Sequence, residues 1–162
     1  MNVVLVTGGF DPLHSGHIEY FIEAKKLGDK LVVGVNTDAW LKRKKGRPFM
    51  PGGERISIIK NLSMVDHCLL FGDDDDSAIE AINNVRLLYP DAHIIFANGG
   101  DRTPENIPEM LYDEVEFAFG VGGPAGLGKP LDGGGPKNIL CPLSCFVQKR
   151  HHRFVSTNGN LF

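Results

Sequence analysis

Short runs of apolar residues predict five buried strands, at residues 2–7, 31–35, 68–71, 93–97 and 115–119. Apolar side chains at helical spacing predict helices between them, at residues 16–27, 55–65, 76–88 and 105–112. The strand segments are continuously apolar rather than alternating, which is typical of a parallel sheet with both faces covered. The pattern therefore predicts an α/β domain, a five-stranded parallel sheet with helices on both faces.

Polar residues follow three of the predicted strands. Residues 8–17 follow the first strand, residues 36–38 the second and residues 98–101 the fourth. In a parallel sheet, ligands bind beyond the carboxyl ends of the strands, where the strand order reverses. We therefore expect these three segments to form one site.

The segment 8–17 reads Gly-Gly-Phe-Asp-Pro-Leu-His-Ser-Gly-His and lies between a strand and a helix. Free backbone N–H groups at a helix start favour anions, and glycines let the main chain approach phosphate oxygens. His14 and His17 can donate hydrogen bonds to charge that develops at phosphorus. Two alternatives stay open, a histidine pair that caps the helix or packs in the core, and a metal site. The metal site lacks an obvious third ligand nearby.

Gly8 to His17 contains His-x-Gly-His and resembles the signature of the cytidylyltransferase-like nucleotidyltransferases. Further matching segments are residues 35–38, 42–48, 54–55, 65–66 and 99–101. Together they are most similar to adenylyltransferases that act on heptose 1-phosphate, with glycerol-3-phosphate cytidylyltransferase second. The resemblance covers roughly residues 2–120 and implies a Rossmann-like fold.

The resemblance implies transfer of AMP or CMP from ATP or CTP to a sugar or polyol phosphate, with release of pyrophosphate. It implies catalytic roles for His14, His17 and Lys42. Nucleotide contacts are expected from these histidines and from Thr7, Gly8, Gly9, Phe10, Gly99 and Asp101. Acceptor contacts are expected from Asp11, Asp38, Lys42 and Arg55. A homodimer is a further expectation from the resemblance.

Several of these residues have a second interpretation. Asp11 could fix the turn through hydrogen bonds to backbone amides, and Asp38 could cap the next helix. Residues 42–45 are interpreted as a phosphate-binding loop, with a solvated charge run as the alternative. The acidic run 73–76 is interpreted as the solvated start of a helix and not as a metal site. Mg²⁺ is expected to arrive on the triphosphate, with no metal held by protein side chains alone.

Composition narrows the function classes. The 162 residues carry a net charge of −3, so no basic field favours nucleic acid. No apolar stretch has transmembrane length, and no signal sequence is apparent. The 3 cysteines form no disulfide framework, which favours a reduced, cytoplasmic protein.

Residues 124–162 differ from the rest in composition, being rich in glycine and proline and poor in acidic side chains. We therefore predict a nucleotidyltransferase domain at residues 1–123 and a divergent, poorly ordered tail after it. The family's second signature is only partly matched, by residues 153–157. Two alternatives follow, a nucleotide-binding module without turnover and an assembly protein that uses the tail as a binding arm.

Overall fold

Strand β1 lies at the centre of a parallel sheet whose strand order is β3-β2-β1-β4-β5. The computed structural model describes residues 1–100, 102–112 and 114–123. The strands are β1 (Asn2–Gly8), β2 (Lys30–Val35), β3 (His67–Leu70), β4 (His93–Ala97) and β5 (Val115–Ala118). The helices are α1 (Ser15–Lys25), α2 (Asp38–Lys45), α3 (Gly52–Ile59) and α4 (Ile79–Leu88), with a 3₁₀ helix at Pro108–Leu111.

The sheet confirms the predicted fold class, since all four strand pairings are parallel. The chain runs outward from β1 through β2 to β3, and then returns to the other side of β1 with β4 and β5. The strand order therefore reverses between β1 and β4, and a ligand cleft is expected at the carboxyl ends of these two strands.

Successive side chains of β1 enter two different cores, because side chains alternate across a strand. Val4 and Val6 pack with Phe21 of α1 and Ile59 of α3 on one face. The opposite face joins β1 to α4 through a second buried cluster that includes Val3, Leu5, Ile82, Val85 and Phe96. The continuous apolar run of β1 is thus explained by burial on both faces.

Helix α2 is the main departure from the predicted elements, because residues 42–45 form its last turn and not a loop. Its mean hydropathy is low and Leu41 is its only buried residue, so it lacks an apolar stripe. The helix is instead started by Thr37, whose side chain accepts a hydrogen bond from the Trp40 N–H at 3.0 Å. A helix that depends on its N-cap and has no apolar stripe is not recognised from hydrophobic periodicity.

Other boundaries move by a few residues. Helix α3 ends at Ile59 rather than at residue 65, and α4 begins at Ile79 rather than at residue 76. Within the described ranges, every helix is too short or too polar to cross a membrane. The predicted tail at residues 124–162 lies outside the described residues.

Candidate active site

The turn from β1 to α1 places two histidines at the start of α1. His14 is the N-cap, and its Nδ1 accepts a hydrogen bond from the Gly16 N–H at 3.1 Å. His17 Nδ1 accepts from the His14 N–H at 3.3 Å, which completes a reciprocal cap. The capping alternative is therefore correct for the Nδ1 atoms. It leaves both Nε2 atoms without a partner among the described residues.

These hydrogen bonds fix the tautomer of both rings. An Nδ1 that accepts an N–H carries no proton, so the ring proton lies on Nε2. The pKa of His17 is lowered from 6.5 to about 4 by burial, and additionally by the charges of His14 and Lys45. His17 is therefore a neutral imidazole near pH 7, and its Nε2–H can donate, since no described residue accepts from it.

Packing holds the two imidazole rings stacked on each other at the edge of the core. Their ring centroids lie 3.7 Å apart with an interplanar angle of 24°. The buried ring of Phe10 meets His17 edge-on, with centroids 5.1 Å apart. Phe10 has a left-handed backbone (φ 48°), and its ring lies so close to Gly8 that a Cβ there would be 2.9 Å from it. A glycine at position 8 and a strained residue at position 10 thus support the turn.

Asp11 fastens this turn to the segment between α2 and α3. Its buried carboxylate accepts hydrogen bonds from the N–H groups of Phe49 and Met50, both at 2.7 Å. Its carbonyl oxygen accepts from Nζ of Lys45 at 3.1 Å. The ammonium of Lys45 is thereby held at the turn, where its charge acts on His17.

Arg55 is fully buried and bonds to the protein itself. Its Nε donates to the Met50 carbonyl, and NH1 donates to the carbonyls of Gly9 and Asn36, both at 2.8 Å. NH2 donates to Asp38 Oδ1 at 2.5 Å. Arg55 was expected to contact an acceptor phosphate. In this structure its anionic partner is Asp38, and the guanidinium ties together the loops after β1 and β2.

Asp73 performs a similar task at the end of β3. Its side chain is buried and accepts from Asn36 Nδ2 at 2.9 Å, from the Thr37 N–H at 2.8 Å and from Thr37 Oγ1 at 2.6 Å. Arg43 donates to its carbonyl oxygen at 2.5 Å. The prediction of a solvated acidic run is thus wrong for Asp73. Asp74–Asp76 are exposed as predicted, but they precede α4, which begins at Ile79, and do not form its first turn.

The opposite wall is formed by the segments after β4 and β5. Tyr20 of α1 donates its hydroxyl to the Ala97 carbonyl at 2.5 Å, and burial raises its pKa, so it stays a donor. A Cβ at Gly99 would lie 3.0 Å from the Val121 carbonyl oxygen and 3.1 Å from the Tyr20 ring. A glycine at position 99 therefore lets the segment after β4 pack closely against Tyr20 and the segment after β5.

The model of the cytidylyltransferase-like family matches residues 5–152. The chain belongs to the cytidylyltransferase-like family. This confirms the resemblance stated from the motifs, and the family supports nucleotidyltransferase activity.

Relatives of this member of the cytidylyltransferase-like family include two named bifunctional protein HldE. The chain is 40% identical over 140 residues to HldE of Syntrophotalea carbinolica, with 85% of this chain and 26% of that protein aligned. It is 39% identical over 107 residues to HldE of Proteus mirabilis, with 65% and 21% aligned. The chain thus spans about a quarter of the length of these relatives.

Solved structures agree with this assignment. The lipopolysaccharide core biosynthesis protein from Thermoplasma volcanium GSS1 superposes with a TM-score of 0.60 at 30% identity. The match covers 74% of this chain and 95% of that protein. The NadR protein in complex with NR gives a TM-score of 0.50 at 20% identity, which shows a shared fold.

Most of the predicted site residues of this cytidylyltransferase-like chain lie at one edge of the sheet. Thr7, Gly8 and Gly9 are at the carboxyl end of β1, and Gly99 follows β4. Lys42 is exposed on α2, and its side chain has no hydrogen bond or ion pair with any residue in the described part of the chain. Asp101 lies outside the described residues, so its predicted role stays a prediction.

The sequence analysis included Lys45 only as a member of the basic run 42–45, and it interpreted Asp73 as solvated, so neither residue was singled out. The signal for Lys45 was the helix itself: Thr37 followed by Asp38 is typical of a helix start, and residues three apart share a face. The signal for Asp73 was its position directly after a predicted strand, which parallels the segments after β1, β2 and β4. Both residues belong to the same sheet edge as the histidines.

Proposed function

We propose that the chain transfers a nucleotidyl group from a nucleoside triphosphate to a sugar phosphate and releases pyrophosphate. One observation carries the proposal: two neighbouring imidazoles at the start of α1 have their Nδ1 atoms hydrogen-bonded to the backbone, and their Nε2–H groups have no partner among the described residues. Donors at a helix N-terminus suit the triphosphate, and His17, which is neutral near pH 7, needs no change of protonation when charge develops on it.

In the proposed reaction, an oxygen of the acceptor phosphate attacks the α-phosphorus in line. The bond from the α-phosphorus to the bridging oxygen breaks, and the electron pair leaves with pyrophosphate. No covalent enzyme intermediate is needed, so the protein contributes positioning and charge stabilisation. His14 and His17 donate hydrogen bonds to the phosphate oxygens. The ammonium of Lys45 offsets the negative charge of the triphosphate.

The metal is proposed to enter as part of the substrate. Within residues 1–100, 102–112 and 114–123, no three His, Cys, Asp or Glu side chains are grouped so as to hold a metal ion. Mg²⁺ commonly binds through substrate phosphates with few protein ligands, so the described residues fit a magnesium–triphosphate complex. The bound ion would neutralise part of the triphosphate charge.

We favour ATP and heptose 1-phosphate as the substrates. The motifs at residues 35–38, 42–48 and 99–101 support this choice, and so do the relatives named HldE. CTP with glycerol 3-phosphate is the alternative within the same class. The homodimer is a separate proposal, which sedimentation of the full chain tests.

A pyrophosphate-release screen tests the reaction. ATP and CTP are each combined with heptose 1-phosphate, hexose 1-phosphates and glycerol 3-phosphate. We expect His17→Ala to lower kcat by about 10²–10³, as loss of one preorganised donor does. His67→Ala is the matched control, because His67 is the first residue of β3 and lies at the amino ends of the strands, away from the site at their carboxyl ends. Binding of ATP with no pyrophosphate from any acceptor would instead indicate a nucleotide-binding module.

A further inference from the structure

Phe49 is an exposed aromatic side chain at the edge of a polar site. Its exposed fraction is 76%, whereas the other phenylalanines in the described part of the chain are buried or half-buried. A single exposed apolar side chain is common at a protein surface, so the exposure of Phe49 alone assigns it no role. It leaves the ring available to a ligand, and the backbone and the position in the fold decide which ligand it can reach.

The backbone that carries this ring is held rigidly. The N–H groups of Phe49 and Met50 both donate to the buried carboxylate of Asp11. The Met50 carbonyl accepts from Nε of the buried Arg55 at 3.1 Å. Two buried charged groups thus fix a surface segment whose ring remains in solvent. Because the backbone is already fixed, this segment loses less entropy when its side chain binds a ligand.

The position of Phe49 assigns it to the acceptor side of the cleft. It lies between α2 and α3, which follow β2, while Gly99, which is predicted to contact the nucleotide, follows β4 on the other side of β1. The residue that fixes it, Asp11, also holds Lys45 beside His17. An apolar ring and a cation are therefore both tied to one turn. In the proposed reaction the acceptor phosphate meets the triphosphate at this turn, so an acceptor bound there can lay an apolar face on the ring of Phe49.

We propose that Phe49 is a specificity-determining residue, which packs its ring on the C–H face of a cyclic sugar phosphate. The inference rests on the proposed function, since it names the acceptor class for that reaction. A pyranose presents a face of C–H groups on which an aromatic ring can lie. Glycerol 3-phosphate has no such face and gains nothing from Phe49. The site therefore favours a cyclic sugar phosphate over an open-chain polyol phosphate.

The test compares Phe49→Ala, Phe49→Tyr and wild type as full chains. We expect Phe49→Ala to raise KM for a cyclic sugar 1-phosphate about tenfold, or ~1.4 kcal/mol. The KM for ATP and for glycerol 3-phosphate should stay within about twofold, and Phe49→Tyr should restore the sugar KM. Leu87→Ala is the control, because Leu87 is 81% exposed near the end of α4, away from the site.

A binding measurement separates this inference from the reaction. Saturation-transfer NMR follows the ring protons of the sugar 1-phosphate in the presence of ATP, whether or not turnover occurs. Sugar binding that Phe49→Ala weakens supports the inference even if no pyrophosphate is ever released, an outcome that refutes only the reaction. Equal sugar affinity in the two proteins overturns it. The inference is also overturned if Phe49→Ala lowers the affinity for ATP but not for the sugar, or if wild type binds no sugar.

Discussion

Protonation of His17 decides how the proposed site meets a triphosphate. With an ordinary pKa of 6.5, half of the rings would be charged at that pH. Because the pKa is lowered to about 4, only about 0.3% are charged there. We expect the ring to remain neutral, with its proton on Nε2, from neutral pH down to about pH 5. The physical causes are burial beside Phe10 and the neighbouring charges of His14 and Lys45.

Long-range ¹H–¹⁵N correlation spectra of the imidazoles measure both properties in the full chain. His17→Gln assigns the signal and is a matched variant, because glutamine at this position of a capping box also accepts the N-cap N–H. Lys45→Met should move the midpoint of His17 upward by removing one of the charges that lower it. A midpoint near 6.5, or a proton on Nδ1 at neutral pH, would refute the assigned hydrogen bonds and the donor role built on them.

The lowered pKa also makes a prediction for stability. The unfolded chain binds a proton at His17 below about pH 6.5, and the folded chain only below about pH 4. The contribution of this site is therefore complete above pH 6.5 and is lost as the pH falls to about 4. For a half-exposed ring the loss is about 1–2 kcal/mol after solvent screening. His17→Gln should flatten the stability profile over this interval in urea denaturation.

Three further perturbations have defined outcomes. Arg55→Met leaves buried carbonyl oxygens without donors and should lower the free energy of unfolding by about 3 kcal/mol in urea denaturation; a loss under about 1 kcal/mol would contradict the buried network. Lys45→Met should raise KM for ATP more than Lys42→Met does, and the reverse order would return the phosphate contact to Lys42. Although burial alone would raise the pKa of Asp66, hydrogen bonds, chiefly from Lys25, lower it from 3.8 to about 2. In thermal melts, wild type should lose stability as the pH falls from about 4 to about 2, and Asp66→Asn should abolish this loss. An equal loss in both proteins would exclude this ion pair as the cause.

The sheet was predictable because its signal is local. Val3 to Val6 are apolar without interruption, and no distant residue is needed to recognise a strand buried on both faces. The histidine pair was predictable for the same reason, since a strand, a glycine turn and His-x-Gly-His are adjacent in sequence. Both features, the β1 strand and the histidine pair at the start of α1, depend only on residues that are neighbours in the sequence.

The buried charges were not predictable because their partners are distant. Arg55 donates to Gly9 and Asn36, which are 46 and 19 residues away. Asp73 accepts from Thr37, 36 residues away. A charged residue in a sequence is normally expected in solvent, and only the folded chain shows three loops meeting around one guanidinium. The same limit explains why the hydrogen bonds of Arg55 within the protein were not predicted.

These buried charges bear on how the site could act. A charge removed from water is costly unless its hydrogen bonds are satisfied, and here the satisfied partners are the loops of the candidate site. Any movement of those loops would break charge-assisted hydrogen bonds, so the loops are held in place before a ligand arrives. Donors fixed in advance stabilise developing charge without reorganising. His14 and His17 meet the same requirement by another route, because the Nδ1 bonds that start the helix also set the direction of each Nε2–H. Helix capping and phosphate binding are therefore not alternatives for these residues: the cap is what orients the donor.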